Sequence, residues 1–141
     1  MTGFVMDCSV TMAWCFEDES DPFAGEILTA LRSAEARVPS LWPLEVANCL
    51  AVAERRGRLR EADSRRFADL LGQLPISVDL ETAERALGPV LDLSRQHRLS
   101  SYDAAYLELA MRLGVPLATR DNSLARAARA GGVSLFQPAG S

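Results

Sequence analysis

A chain of 141 residues has ordinary single-domain length and can bury a substantial core, and 48% hydrophobic with 24% charged residues suits a globular protein. Its 15 basic residues are all arginine and His97 is its single histidine, which excludes lysine-dependent phosphate loops, Schiff-base chemistry and multi-histidine zinc sites. A net charge of −4 excludes wholesale coating of nucleic acid but leaves room for a local basic patch. No apolar run approaches the roughly 20 residues that span a bilayer, and no basic segment precedes the first one, so the expectation is a cytoplasmic protein with no membrane partner. Cys8, Cys15 and Cys49 lack metal-ligand spacing and read as small core residues in a reducing compartment.

In chain order, Phe4-Val5-Met6-Asp7 predicts a buried parallel strand that delivers a carboxylate to its carboxyl edge, where open α/β sheets bind ligands. The run from Ser9 to Phe16 predicts a short buried helix with Ser9 as its cap. An acidic loop, Glu17 to Asp21, then leads into a helix that starts at Pro22 and runs to about Glu35, burying Phe23, Ile27, Leu28 and Leu31. Arg37-Val38-Pro39 predicts a second strand. Pro43 opens a helix with Leu44, Val46, Ala47, Leu50 and Ala51 on its apolar face, stopped by Gly57, and another runs from Glu61 to about Gly72 around Phe67, Leu70 and Leu71.

Ile76-Ser77-Val78 predicts a third strand. Leu80 to His97 carries a helical pattern that Gly88-Pro89 should break or kink. A helix from Ser100 or Ser101 to Leu113 follows, then strand Leu117-Ala118-Thr119, a helix from Asn122 to Ala130, a last strand Val133 to Phe136 and a frayed tail. Strands alternating with helices imply a single domain of α/β class around a largely parallel sheet of about five strands.

Four carboxylates recur at strand ends or in first helical turns: Asp7, Glu45, Asp103 and Asp121. Each has a bland explanation. Asp103 stands at capping-box spacing from Ser100, Glu45 suits a helix dipole, and Asp121 or Asn122 suits an N-cap. Together they read differently, because two carboxylates about 5 Å apart at an effective dielectric near 20 repel by roughly 3 kcal/mol. With no lysine to neutralise them, the fitting counter-ion is a hard divalent cation such as Mg²⁺, with Mn²⁺ as a substitute. Beside a phosphodiester such an ion can activate a water, stabilise the leaving oxygen and clamp the phosphate. Ser9 and Thr119 flank the acids and are candidates to hold a water or a phosphate oxygen, with capping or local backbone bonding as their structural role.

The opening VMDCSVTMAWCFEDE, the helix start PSLWPLEVANCLAVAERRGRL and the segment LSSYDAAYLELAMRLGVPLATRDNSLARAA, in that order, resemble the PIN-domain ribonucleases, most of all the VapC-type toxins of toxin–antitoxin modules. The resemblance covers nearly the whole chain. It implies a three-layer α/β/α sandwich and a metal-dependent endoribonuclease. The family's acids fall on Asp7, Glu45, Asp103 and Asp121, its hydroxyl on Ser9 and its asparagine on Asn48. It also implies a homodimer and a cognate antitoxin protein as partners.

RNA as substrate asks for local positive charge, for which Arg55 and Arg56, at the head of the run through Arg66, and Arg120 beside Asp121 are the candidates. Arginines at a helix C-terminus equally suit the dipole. Trp14, Trp42 and Phe16 suit core burial better than base stacking. Two other classes compete. A phosphoacceptor signalling domain would need a lysine after a late strand, which the chain lacks, and a non-catalytic interaction module would have no use for mutually repelling acids.

Overall fold

Four strands of the computed structural model, which describes residues 3–16, 18 and 21–137, form one all-parallel sheet. They are β1 (Gly3–Met6), β2 (Glu35–Val38), β3 (Ile76–Val78) and β4 (Leu117–Ala118), in the order β3-β2-β1-β4. The expected loop residues Glu17, Glu19 and Ser20, and the tail beyond 137, lie outside the described residues. Phe4, Val5 and Met6 are fully buried because β1 has a strand on each side: Phe4 sits opposite Ala36, Val5 opposite Leu117 and Met6 opposite Ala118. The order has a functional consequence. The chain steps from β1 to β2 to β3 in one direction, then returns across the sheet to place β4 on the other side of β1, so strand order reverses between β1 and β4. Ligand crevices of open parallel sheets form at the carboxyl ends of such a reversal.

Right-handed crossovers put the helices of the two directions on opposite faces, giving three layers. α1 (Cys8–Ala13) packs with α2 (Pro22–Ala30) and α3 (Trp42–Arg55). α7 (Ser101–Leu113) packs with β1, β4, α6 (Leu91–His97) and α8 (Asn122–Ala130). Every residue from Ala104 to Ala110 is buried, so the middle of α7 is enclosed on all sides. α4 (Glu61–Gly72) matches its predicted bounds.

Several elements depart from the sequence pattern, each for a local reason. α2 ends at Ala30 rather than near Glu35, because Glu-Ala-Arg-Val alternates: Ala36 and Val38 face the core while Glu35 and Arg37 are half-buried, which is the period of a strand. On α3 the buried stripe is Trp42, Val46, Leu50 and Ala53, whereas Leu44 is 75% exposed and Ala47 is also exposed. In α4 Phe67 is buried but Leu70 is 41% exposed. The last expected strand is reduced to one parallel bridge, Leu135 to Leu117, since β4 offers only two residues for pairing.

The segment after β3 starts at Thr82, as α5 (Thr82–Arg85), and continues into α6 through a π-helical turn, Ala86–Val90, that contains Pro89. The wider turn accommodates a residue with no N–H and a ring that would strike the carbonyl four positions back, so the expected kink is a bulge. No described helix is long and apolar enough to cross a membrane.

Candidate active site

Asp7 follows β1 directly and is 5% exposed. It is the N-cap of α1, the role the pattern gave to Ser9. Its Oδ1 accepts from Ser9 Oγ at 2.6 Å and from the Val10 amide at 3.2 Å, while Oδ2 accepts from the Thr119 hydroxyl. These donors come from both sides of the strand-order reversal. Thr119 Oγ1 in turn accepts from the Asp121 amide at 2.9 Å, and Ser9 Oγ from the Arg120 amide at 3.1 Å, so the loop after β4 is tied to the start of α1 through Asp7. Burial raises the Asp7 carboxyl above its ordinary range against the pull of these donors, and the Asp103 charge adds to the rise.

The other three acids arrive on helix starts. Glu45 lies in the first turn of α3, and its Oε1 accepts from the Tyr106 hydroxyl at 2.5 Å. Asp103 lies in the first turn of α7, where its amide bonds the Ser100 cap at 3.1 Å. Asp121 caps α8 by accepting from the Leu124 amide at 2.9 Å, which settles the choice between it and Asn122. Burial raises Glu45, opposed by the Tyr106 bond, and the charges of Asp103 and Asp7 raise it further. Burial also raises Asp103, with Asp121 as its charged neighbour. These repulsions place the four acids in one electrostatic neighbourhood.

No basic side chain forms an ion pair with any of the four among the described residues. Nor do any three acids, cysteines or histidines converge there as a ready-made chelating group. The donor set nevertheless fits a hard cation that keeps much of its water and takes only one or two carboxylates directly. Asp103 and Glu45 are partly open to solvent and offer hard oxygens, with Asp7 and Asp121 beside them.

Residues 4–130 match the PIN domain family. The chain belongs to that family. Ribonuclease VapC3 of Pyrobaculum aerophilum is 30% identical to this PIN domain over 121 residues, covering 86% of this chain and 91% of that protein. PAE2754 from Pyrobaculum aerophilum shares the fold at a TM-score of 0.66 and 23% identity, over 89% of this chain and 86% of that one. FitAcB from Neisseria gonorrhoeae does so at 0.64 and 16%, over 98% and 99%. Mycobacterium tuberculosis VapC20, described as a sarcin-ricin loop cleaving toxin, does so at 0.60 and 15%, over 96% and 99%.

The arginines of this PIN domain are placed less uniformly than its acids. Arg120 has its backbone at the site but its Nε donates to Asp21 Oδ2 at 2.9 Å, away from the acids. Arg55 and Arg56 end α3, roughly 15 Å down the helix from Glu45 at about 1.5 Å per residue, and the fold does not bring them to the acids. Arg56 instead lines a cavity of about 270 Å³ with Asn48, Cys49, Met12, Phe16 and Arg58. Asn48 lies one turn after Glu45 on α3 and is exposed. Trp42 and Trp14 are fixed in the protein by indole bonds to Thr11 Oγ1 at 3.0 Å and to the Ala24 carbonyl at 2.8 Å, and Phe16 is buried beneath the Arg58 guanidinium. The three cysteines are half-buried, and the Cys8 and Cys49 sulfurs lie 4.0 Å apart.

Two features escaped the sequence reading. Tyr106 is 1% exposed and reaches Glu45 across α3 and α7; its signal was a second tyrosine three positions after Asp103, on the same helical face. Asp79 closes β3 much as Asp7 closes β1, and its carboxylate takes two guanidinium bonds from Arg112, at 2.8 and 3.1 Å. Arg112 also binds Glu108 at 3.0 Å, and Asp79 is held below the usual carboxylate range, chiefly by the Arg112 bonds. A strand-end acid that has its own cation is structural.

Proposed function

We propose that this PIN domain is a Mg²⁺-dependent endoribonuclease, the toxin of a type II toxin–antitoxin module, that hydrolyses RNA phosphodiester bonds at the acid cluster. One observation carries the reading: burial and neighbouring carboxylate charge raise the proton affinity of Asp7, Glu45 and Asp103 at the strand-order reversal, and none of these or Asp121 has a protein cation among the described residues, whereas Asp79, at an equivalent strand end, does. The 30% identity to a protein named ribonuclease VapC3 supports RNA as substrate.

Asp7, Glu45, Asp103 and Asp121 hold the ion, which supplies when bound an activated water and positive charge for the phosphate. The protein's own groups do the rest. Ser9 and Thr119 donate to Asp7, favour its ionised form against burial and orient it. The Ser9 and Thr119 bonds to the loop after β4 fix Asp121 relative to Asp7. In the reaction the oxygen of water bonds to phosphorus as the bond from phosphorus to one ribose oxygen breaks, and one proton of the water ends on that departing oxygen. Arg120, released from Asp21, and Arg56 at the far end of the Asn48 cavity bind flanking phosphates, Arg55 more weakly.

The partners in this reading are the RNA, a cognate antitoxin and a second copy of the chain. Exposed Leu44, Leu80 and Tyr102, all next to carboxyl-edge elements, are apolar surface that a homodimer would cover. The test is cleavage of total cellular RNA by the purified protein, with the new ends mapped. Wild type is expected to cut at discrete sites, chelation by EDTA to stop it, and folded Asp7→Asn and Glu45→Gln to lose at least about a hundredfold in rate. Folded wild type that cuts no RNA with Mg²⁺ or Mn²⁺ would favour a binding module, and full activity in either variant would end the site assignment.

A further inference from the structure

Glu45 is the acid of the cluster with the longest side chain and the most rotational freedom, and among the described residues the Tyr106 hydroxyl is the one donor bonded to its carboxylate. That hydroxyl belongs to a ring packed inside α7 at 1% exposure, in a run of seven buried residues, so it is a fixed point. Tyr106 also lies three positions after Asp103 on the same helix, which puts both on one face. The bond spans 61 residues of sequence and leaves Glu45 Oε2 without a protein partner among the described residues.

Resting on the nuclease reading above, we propose that Tyr106 is a positioning residue: its hydroxyl holds Glu45 at a fixed place relative to Asp103, so that acids from two separate helices act on one cation. Without the bond, Glu45 turns toward solvent and away from Asp103 and Asp7, whose charges repel it. A phenylalanine keeps every ring atom and removes only the donor.

The experiment measures Mn²⁺ affinity by calorimetry, and kcat and KM for an RNA oligonucleotide, in wild type and Tyr106→Phe. Tyr106→Phe is expected to keep native circular dichroism and to lose about 10–100-fold in Mn²⁺ affinity or in kcat, the size seen when the partner of a metal-holding side chain is removed. KM for RNA should move less than about threefold, because no substrate contact is lost. If Tyr106→Phe folds poorly, the Glu45→Gln background decides. A residue acting through Glu45 costs little more there in single-turnover rate, whereas a further loss of about tenfold would show an independent structural role and overturn the proposal. Unchanged affinity and kcat in folded Tyr106→Phe, with an active wild type, overturns the Tyr106 role alone. A wild type that neither binds Mn²⁺ nor cuts RNA overturns both readings.

Discussion

Asp7 and Asp79 have the same local sequence logic and opposite fates. Each closes a parallel strand and each is 5% exposed, but Asp79 is met by Arg112 and Asp7 by two hydroxyls and an amide. Neutral donors orient a carboxylate without cancelling its charge, so Asp7 can still attract a cation. Thr119→Val, close to Thr in shape, removes one of those donors. The expected result is a loss of about 1.5–3 kcal/mol in urea unfolding, as for a hydrogen bond to a charged group, with cleavage reduced about tenfold or more. Unchanged stability and rate would show that Thr119 contributes nothing to Asp7. The sequence made Asp7 legible because a buried apolar run ending in an acid is costly without a purpose. It could not separate Asp7 from Asp79, because the deciding arginine lies 33 residues from Asp79 in sequence and meets it only through the fold.

At the scale of elements, the Asp79–Arg112–Glu108 group joins the end of β3 to the last turns of α7, with the Asp79 and Arg112 side chains 6% and 15% exposed. The Asp79 carboxyl is depressed in the folded chain, so its contribution is present above the ordinary carboxylate pKa of about 3.9 and is lost as pH falls through the lowered value. Asp79→Asn is expected to destabilise by about 1–3 kcal/mol at pH 7, since Arg112 keeps Glu108, and the gap from wild type should narrow at an acidic pH below the ordinary carboxylate value. Parallel urea curves with the same gap at both pH values would contradict this origin. Element existence followed from hydrophobic period, and α4 and α8 match their predicted bounds. Boundaries failed where two periods met: helical spacing through Leu31 hid the alternation of Glu35 to Val38, and counting apolar residues put Leu44 on the buried face that Trp42 occupies. Pro89 was legible as a defect but not as a π turn, because the accommodation depends on packing against α7.

At the scale of the molecule, strand order β3-β2-β1-β4 sets Asp7 at the reversal between β1 and β4, and burial with neighbouring carboxylate charge raises the Asp7 and Asp103 carboxyls. Asp103 has its proton affinity raised by folding, so its ionised form opposes folding above its ordinary pKa, and Asp103→Asn should raise the ion-free melting temperature by roughly 2–4 °C while abolishing cleavage. An ion at about a hundred times its Kd adds about 2.7 kcal/mol, which for a chain of this length is roughly 5–10 °C in melting temperature. A melting temperature for Asp103→Asn below that of wild type, without ion, would show that the cluster is not repulsive. The order of motifs made the four acids Asp7, Glu45, Asp103 and Asp121 stand out in the sequence because each sits at an element boundary. Tyr106 stayed hidden because it lies within a buried apolar run and reads as core.

The central claim is that these four acids gather one cation. Its most direct test is a calorimetric titration of Mn²⁺ into the chelator-treated protein and into Asp7→Asn. Saturable binding by the wild type and at least about tenfold weaker binding by the variant are expected. Equal affinity in the two proteins, or no saturable binding by the wild type, would contradict it.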